Sequence, residues 1–196
     1  MHIDYPDLDA TAVRTSVALV KQLTPADLAR PTPCAGWNLA GLLAHMTAQH
    51  HGFAAGSTGD GDLAPWQPKP LGADPIAEYE VAADRVLTAF AAEGVLDREF
   101  CLPESSQDYR FPATMAMSFH LVDYVVHSWD VARTLGLPVE FDAAVLTAAL
   151  AVAEAVPDGA ARLAPAAPFA PAVTWSGGST LDRIVALLGR SPGWTA

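Results

Sequence analysis

The sequence predicts an all-α protein: an antiparallel four-helix bundle with a short C-terminal extension. Three observations predict it. Alanine is abundant while β-branched and aromatic residues are scattered, which favours helix over sheet. Long segments repeat apolar residues at helical spacing and are bounded by capping and breaking signals. A single long irregular loop falls between the second and third of them, as in bundles with one crossover connection.

The elements follow in order. Residues 7–23 (DLDATAVRTSVALVKQL) read as an amphipathic helix with acids in the first turn and a lysine near its end. Thr24-Pro25-Ala26-Asp27 resembles a capping box with proline at the first helical position, so a short helix should run to about Arg30. PTPCAG then breaks the chain, and Asn38 can cap a second long helix, NLAGLLAHMTAQHHGF. Its residues Leu39, Leu42, Leu43, Met46 and Phe53 share one face. Residues 55–75 alternate proline, glycine and acids around Trp66, a loop long enough to suggest a functional role. A third helix, PIAEYEVAADRVLTAFAAEG, should end at Gly94, and 95–112 reads as connector. The fourth helix runs from about Ala113 to Leu135, closed by Gly136 and Pro138. FDAAVLTAALAVAEAV forms another helix to about Val156. An Ala/Pro linker, a short strand at VTW and a SGGS turn lead to a last capping signal, Ser179 to Asp182, which opens STLDRIVALLGR.

The formal net charge is −11 and the pI is near 4.7. An acidic surface repels phosphate backbones and anionic headgroups, which argues against nucleic-acid and membrane-surface partners. Two cysteines, Cys34 and Cys101, without CxxC spacing, fit a reducing cytoplasm better than a disulfide framework. The N-terminal MHIDYPDLDA has no basic region followed by an apolar run, so no signal peptide is expected. No stretch approaches the ~18 consecutive apolar residues of a membrane span. The expected compartment is the cytoplasm.

The informative stretch is FHLVDYVVHSWDVART, residues 119–134. With Asp123 at zero on a wheel of about 100° per residue, His127 falls at about 40°, His120 at about 60° and Asp130 at about −20°. Bulky apolar side chains occupy the rest of the circumference. A polar stripe is usually a solvated face, yet Lys, Glu, Arg and Gln are all missing between Ala113 and Ala132. His and Asp are instead a ligand set for Zn, Ni or Fe(II), and Asp123 and His127, as i, i+4 neighbours, can point at a common atom. A third ligand must come from elsewhere. The second helix offers His45, His50 and His51, of which periodicity prefers His50 as the inward residue.

TPCAGWNLAGLLAHM (32–46), DYVVHSWDVA (123–132) and LDRIVALLGRSP (181–192) together resemble the DinB/YfiT-like metal-binding bundles. Within them the chain is most similar to the mycothiol-dependent maleylpyruvate isomerase branch. The resemblance implies a four-helix bundle holding a divalent metal, zinc foremost with nickel or iron as alternatives, through His45, Asp123 and His127. It thereby favours His45 over His50. The family's isomerase carries glutamate at the acidic position. Aspartate is one methylene shorter, so His120 or Asp130 could substitute or support from behind. The expected division is a metal-binding bundle over 1–160 and a linker with a short C-terminal element over 161–196, which either covers the site or mediates a homodimer.

Three protein ligands leave positions open on an ion that takes four to six, the arrangement of a catalytic site. A thiol coordinated there is deprotonated. The resemblance therefore implies mycothiol or a similar small thiol as cofactor, an electrophilic substrate, and S-transfer or thiol-assisted isomerisation. The alternatives are a non-catalytic metal-binding stress or regulatory module, and an Fe(II) oxygenase built on the same two-His-one-carboxylate set. Cys34 near a helix start reads as a buried structural cysteine, Trp37 as packing at that helix start, and Trp129 as core. Arg110 and Arg133 read as surface residues, and Trp66 as either a pocket cover or a loop anchor.

Overall fold

A computed structural model describes residues 3–164 and 167–195. Met1 and His2 of the N-terminal stretch, Pro165 and Ala166 of the Ala/Pro linker, and Ala196 lie outside the described residues. The helices are α1 (Tyr5–Val20), α2 (Leu39–Gly56), α3 (Pro75–Phe90), α4 (Ala113–Leu135), α5 (Ala143–Ala155) and α6 (Thr180–Leu187). The first four form the bundle: α1 packs on α3 and α4, and α2 packs on α3 and α4. α5 lies against α4 and α1, and α6 against α5 and α4.

Each of these helices except α4, which begins after Pro112, starts at a side chain that satisfies an orphan backbone N–H. Asn38 Oδ1 accepts from Gly41 N at 3.0 Å, Asp74 Oδ1 from Ala77 N at 3.0 Å, and Asp142 Oδ1 from Val145 N at 2.8 Å. The Thr24–Asp27 capping box opens a 3₁₀ turn, Pro25–Ala29, and the Ser179–Asp182 box opens α6. Gly136 (φ 72°) closes α4 in the left-handed conformation that glycine adopts without cost.

α4 is apolar nearly all round because it is surrounded: α1, α2, α5 and α6 all touch it. The His/Asp stripe is largely buried too, with Asp123 alone partly exposed. His120 and Asp130 are 0% exposed and His127 3%.

Three local expectations change. The connector 95–112 contains a small antiparallel ladder, β1 (Glu99–Cys101) with β2 (Arg110–Pro112), pairing Phe100 with Phe111. It caps a second hydrophobic cluster with Phe53, Trp66 and Phe90, and three-residue strands are too short to leave an alternation in sequence. The VTW strand does not form. Val173 N instead donates to Ala186 O at 2.9 Å, and a lone extended segment with no partner strand builds no ladder. α3 stops at Phe90, four residues before Gly94, whose φ of 68° opens a 3₁₀ turn rather than closing the helix. Trp66, 2% exposed against Phe53, anchors the long loop to α2.

Candidate metal centre

α2 and α4 face each other so that His45, one turn and a half into α2, meets Asp123 and His127 in the middle of α4. One ligand atom from each of the three lies within 4.8 Å of the others. His127 Nε2 is 3.2 Å from Asp123 Oδ1, and the His45 and His127 rings meet edge to face with centroids 5.3 Å apart. Trp37, 38% exposed, tilts over His45 at 4.6 Å. It therefore flanks the cluster instead of packing away at the helix start.

Behind His127 stands Asp130, fully buried, whose Oδ2 accepts from His127 Nδ1 at 3.0 Å. That bond places a proton on Nδ1 and turns Nε2 toward Asp123, the carboxylate–histidine arrangement that orients metal ligands. Arg190 Nη2, from the chain end, donates to the same oxygen at 3.2 Å and to Cys34 Sγ at 3.3 Å. Cys34 is thus half-buried at the edge of this cluster with a cation beside it. It is half-buried where the sequence predicts a buried structural cysteine, and no local pattern reveals a partner 156 residues away.

The electrostatics follow from this crowding. Burial pushes the His45 imidazole down to about 4, and the neighbouring His127 adds to it, so His45 is neutral with a free lone pair at pH 7. Burial also opposes charge on His127, but Asp123 and Asp130 outweigh it and push its pKa up to about 9. Burial works against the Asp123 carboxylate, yet the His127 imidazole holds it well below the usual carboxylate range. For Cys34, burial drives the thiol up to about 11 despite Arg190.

The other sequence candidates lie elsewhere. His50 and His120 are both 0% exposed and meet each other, His50 Nδ1 to His120 Nε2 at 3.3 Å, with His120 Nδ1 donating to Asp9 Oδ1 at 2.7 Å. This core network shares no hydrogen bond with the cluster among the described residues, and Tyr124 stacks on His50 at 4.1 Å. The periodicity that pointed His50 inward was right about direction, but inward there means the core. His51 is not part of the three-residue cluster. Asp9 was missed because an acid in the first turns of a helix reads as a dipole partner. Arg133 stacks over Trp129 at 5.3 Å, and the exposed Arg110 bonds to Gln107 O. A groove of about 670 Å³ between Leu23, Leu28, Ala40, Ala44, Leu71 and Ile76 includes none of the three cluster residues.

Residues 10–132, α1 to nearly the end of α4, match the family described as mycothiol maleylpyruvate isomerase N-terminal domain. The chain belongs to that family. An uncharacterised protein found in two strains of Mycobacterium tuberculosis is 26% identical over 153 residues, covering 78% of this chain and 79% of its own length. Among solved structures, the mycothiol-dependent maleylpyruvate isomerase superposes with a TM-score of 0.55 at 16% identity. Its histidine-to-alanine mutant gives 0.57 at 15%, and each covers 78% of this chain and 70% of the other. At such identities the superpositions show a shared helical fold. No helix among the described residues is long and apolar enough to cross a membrane.

The donor set fits a divalent ion on its own chemistry. A neutral imidazole, a carboxylate kept ionised, and a second imidazole held from behind through Nδ1, which would give up its Nε2 proton to the ion, match borderline divalent metals.

Proposed function

We propose that His45, Asp123 and His127 hold a divalent metal, zinc foremost, and that this member of the mycothiol maleylpyruvate isomerase family activates a mycothiol-like thiol for S-transfer or isomerisation. The observation that carries the reading is the convergence of the three ligand atoms within 4.8 Å, with His127 backed by a buried carboxylate. When bound, the ion supplies the field that keeps a coordinated thiol as its thiolate at neutral pH.

The chain's own groups do the rest. Asp123 and two imidazoles leave a net positive charge on a 2+ ion, which favours an anionic sulfur there. Asp130 fixes which nitrogen of His127 faces the cluster. Trp37 offers an exposed aromatic face beside His45, against which a substrate or thiol can lie. Cys34, with its thiol protonated at neutral pH, does not compete as a nucleophile. In this reading residues 1–160 are the metal-binding bundle and 161–196 a C-terminal element on it. The partners are a small thiol and an electrophilic substrate.

Metal content by mass spectrometry on untagged, undialysed protein tests the first half. About one transition-metal ion per chain is expected, and it should be lost in His127→Ala. A chain equally metal-poor in both forms would sink the reading. For the second half, adding mycothiol to the cobalt(II)-substituted protein should produce a thiolate-to-cobalt absorption band. Metal without that band favours a binding module over an enzyme.

A further inference from the structure

α6 ends at Leu187, the chain turns through Gly189 (φ 84°), and Arg190 points back into the molecule, only 5% exposed. Arg190 lies 58 residues beyond the 10–132 stretch that matches the family, within the 181–192 stretch that resembles it, and its side chain reaches Asp130 of α4. Arg190 Nη2 donates to Asp130 Oδ2, the oxygen that also accepts from His127 Nδ1. One carboxylate oxygen therefore joins the chain end to a candidate metal ligand.

A buried carboxylate needs a compensating charge, or it ceases to be a dependable acceptor. Among the described residues, Arg190 is the arginine or lysine paired with Asp130. The tail does not depend on Arg190 for its attachment. Leu181, Ile184, Val185 and Leu188 are buried in the main core, and Arg162 ties the segment with donations to Ala170 O (3.1 Å) and Leu187 O (2.6 Å). Arg190's contacts toward Asp130 and Cys34 are thus additional to the anchoring.

We propose that Arg190 is a positioning residue: it holds Asp130 so that Asp130 holds the His127 ring with Nε2 toward Asp123 and His45, making the C-terminal segment part of the centre. The inference rests on the metal-centre reading of those three residues, but the orientation of His127 can be read without a metal.

Arg190→Met removes the guanidinium while keeping an unbranched, apolar side chain, and Arg190→Lys keeps the charge. Zinc affinity measured against a chromophoric chelator should fall about 10- to 100-fold in Arg190→Met. The ligand-field bands of the cobalt(II) form should shift, and Arg190→Lys should recover part of both. In the metal-free protein the slowly exchanging His127 Nδ1–H resonance should be lost in Arg190→Met. If Arg190→Met does not fold, Asp130→Asn carries the test: it should weaken zinc to a similar degree, and adding Arg190→Lys to it should weaken zinc no further. Wild-type zinc affinity and cobalt bands in Arg190→Met, even with a lowered melting temperature, would reduce Arg190 to an anchor and overturn the inference. Should the wild-type chain bind no metal, the metal reading fails by itself and the His127 resonance decides. Its persistence in Arg190→Met overturns the positioning role, and its loss supports it.

Discussion

Seven residues apart on α4, His120 and His127 lie on nearly the same side of the helix and serve different networks. His127 meets Asp123, Asp130 and the His45 ring. His120 meets Asp9 and His50 in a core where all three are 0% exposed and where Asp9 Oδ2 and His50 Nε2 have no partner among the described residues. Burial, with His120 and His51 adding to it, lowers the His50 pKa well below its ordinary 6.5. The unfolded chain therefore binds a proton at His50 below about pH 6.5 that the folded chain refuses, so stability at this residue falls as the pH drops through that range. Groups facing His50 from α1, α3 and α4 (Asp9, Tyr79, His120 and Tyr124) share this environment. Melting temperatures between pH 7 and 5 should fall more steeply in the wild type than in His50→Gln. Equal slopes would remove His50 from the account. At this scale the sequence exposed the Asp123/His127 pair through its spacing, and it concealed Asp9, whose partner lies 111 residues away.

At the scale of elements, α2 continues three residues past Phe53 to Gly56, and its last two turns carry glycine at 52 and 56, the two positions where other parts of the chain press on the helix. A Cβ at Gly52 would stand 2.2 Å from the Trp66 ring, and one at Gly56 2.2 Å from Cys101 O. Gly52→Ala gains up to about 1 kcal/mol of helix propensity. Displacing the buried indole costs about 1–3 kcal/mol, so the net expectation is destabilisation in urea unfolding. Gly61→Ala, in open space, serves as the control and should leave stability unchanged. The capping boxes at Thr24 and Ser179 and the caps at Asn38 were readable because capping is local. The β1–β2 ladder and the early end of α3 were not, since both depend on what packs over them.

At the scale of the whole molecule, the C-terminal element shares the main hydrophobic cluster with α1, α2, α4 and α5 instead of forming one of its own. Ile184, 0% exposed on α6, is the test residue. Ile184→Ala should cost about 2–4 kcal/mol of global stability while unfolding remains a single transition. Separate transitions for the C-terminal element and the bundle would show that the two are independent units.

By itself the sequence determined the helical class, most helix starts and the pairing of Asp123 with His127. Each of these rests on interactions within about one helical turn, where spacing is a direct record of geometry. Tertiary structure decided which histidine of α2 approaches that pair. His45 and His50 stand about 140° apart on α2, and the packing of α2 against α4 brings the first to the cluster and the second to His120. It also decided that Asp130 is buried and that Arg190, sixty residues later, is beside it. Contacts of that kind are fixed by how helices stack, and helix stacking is a property of the assembled core that no local pattern encodes.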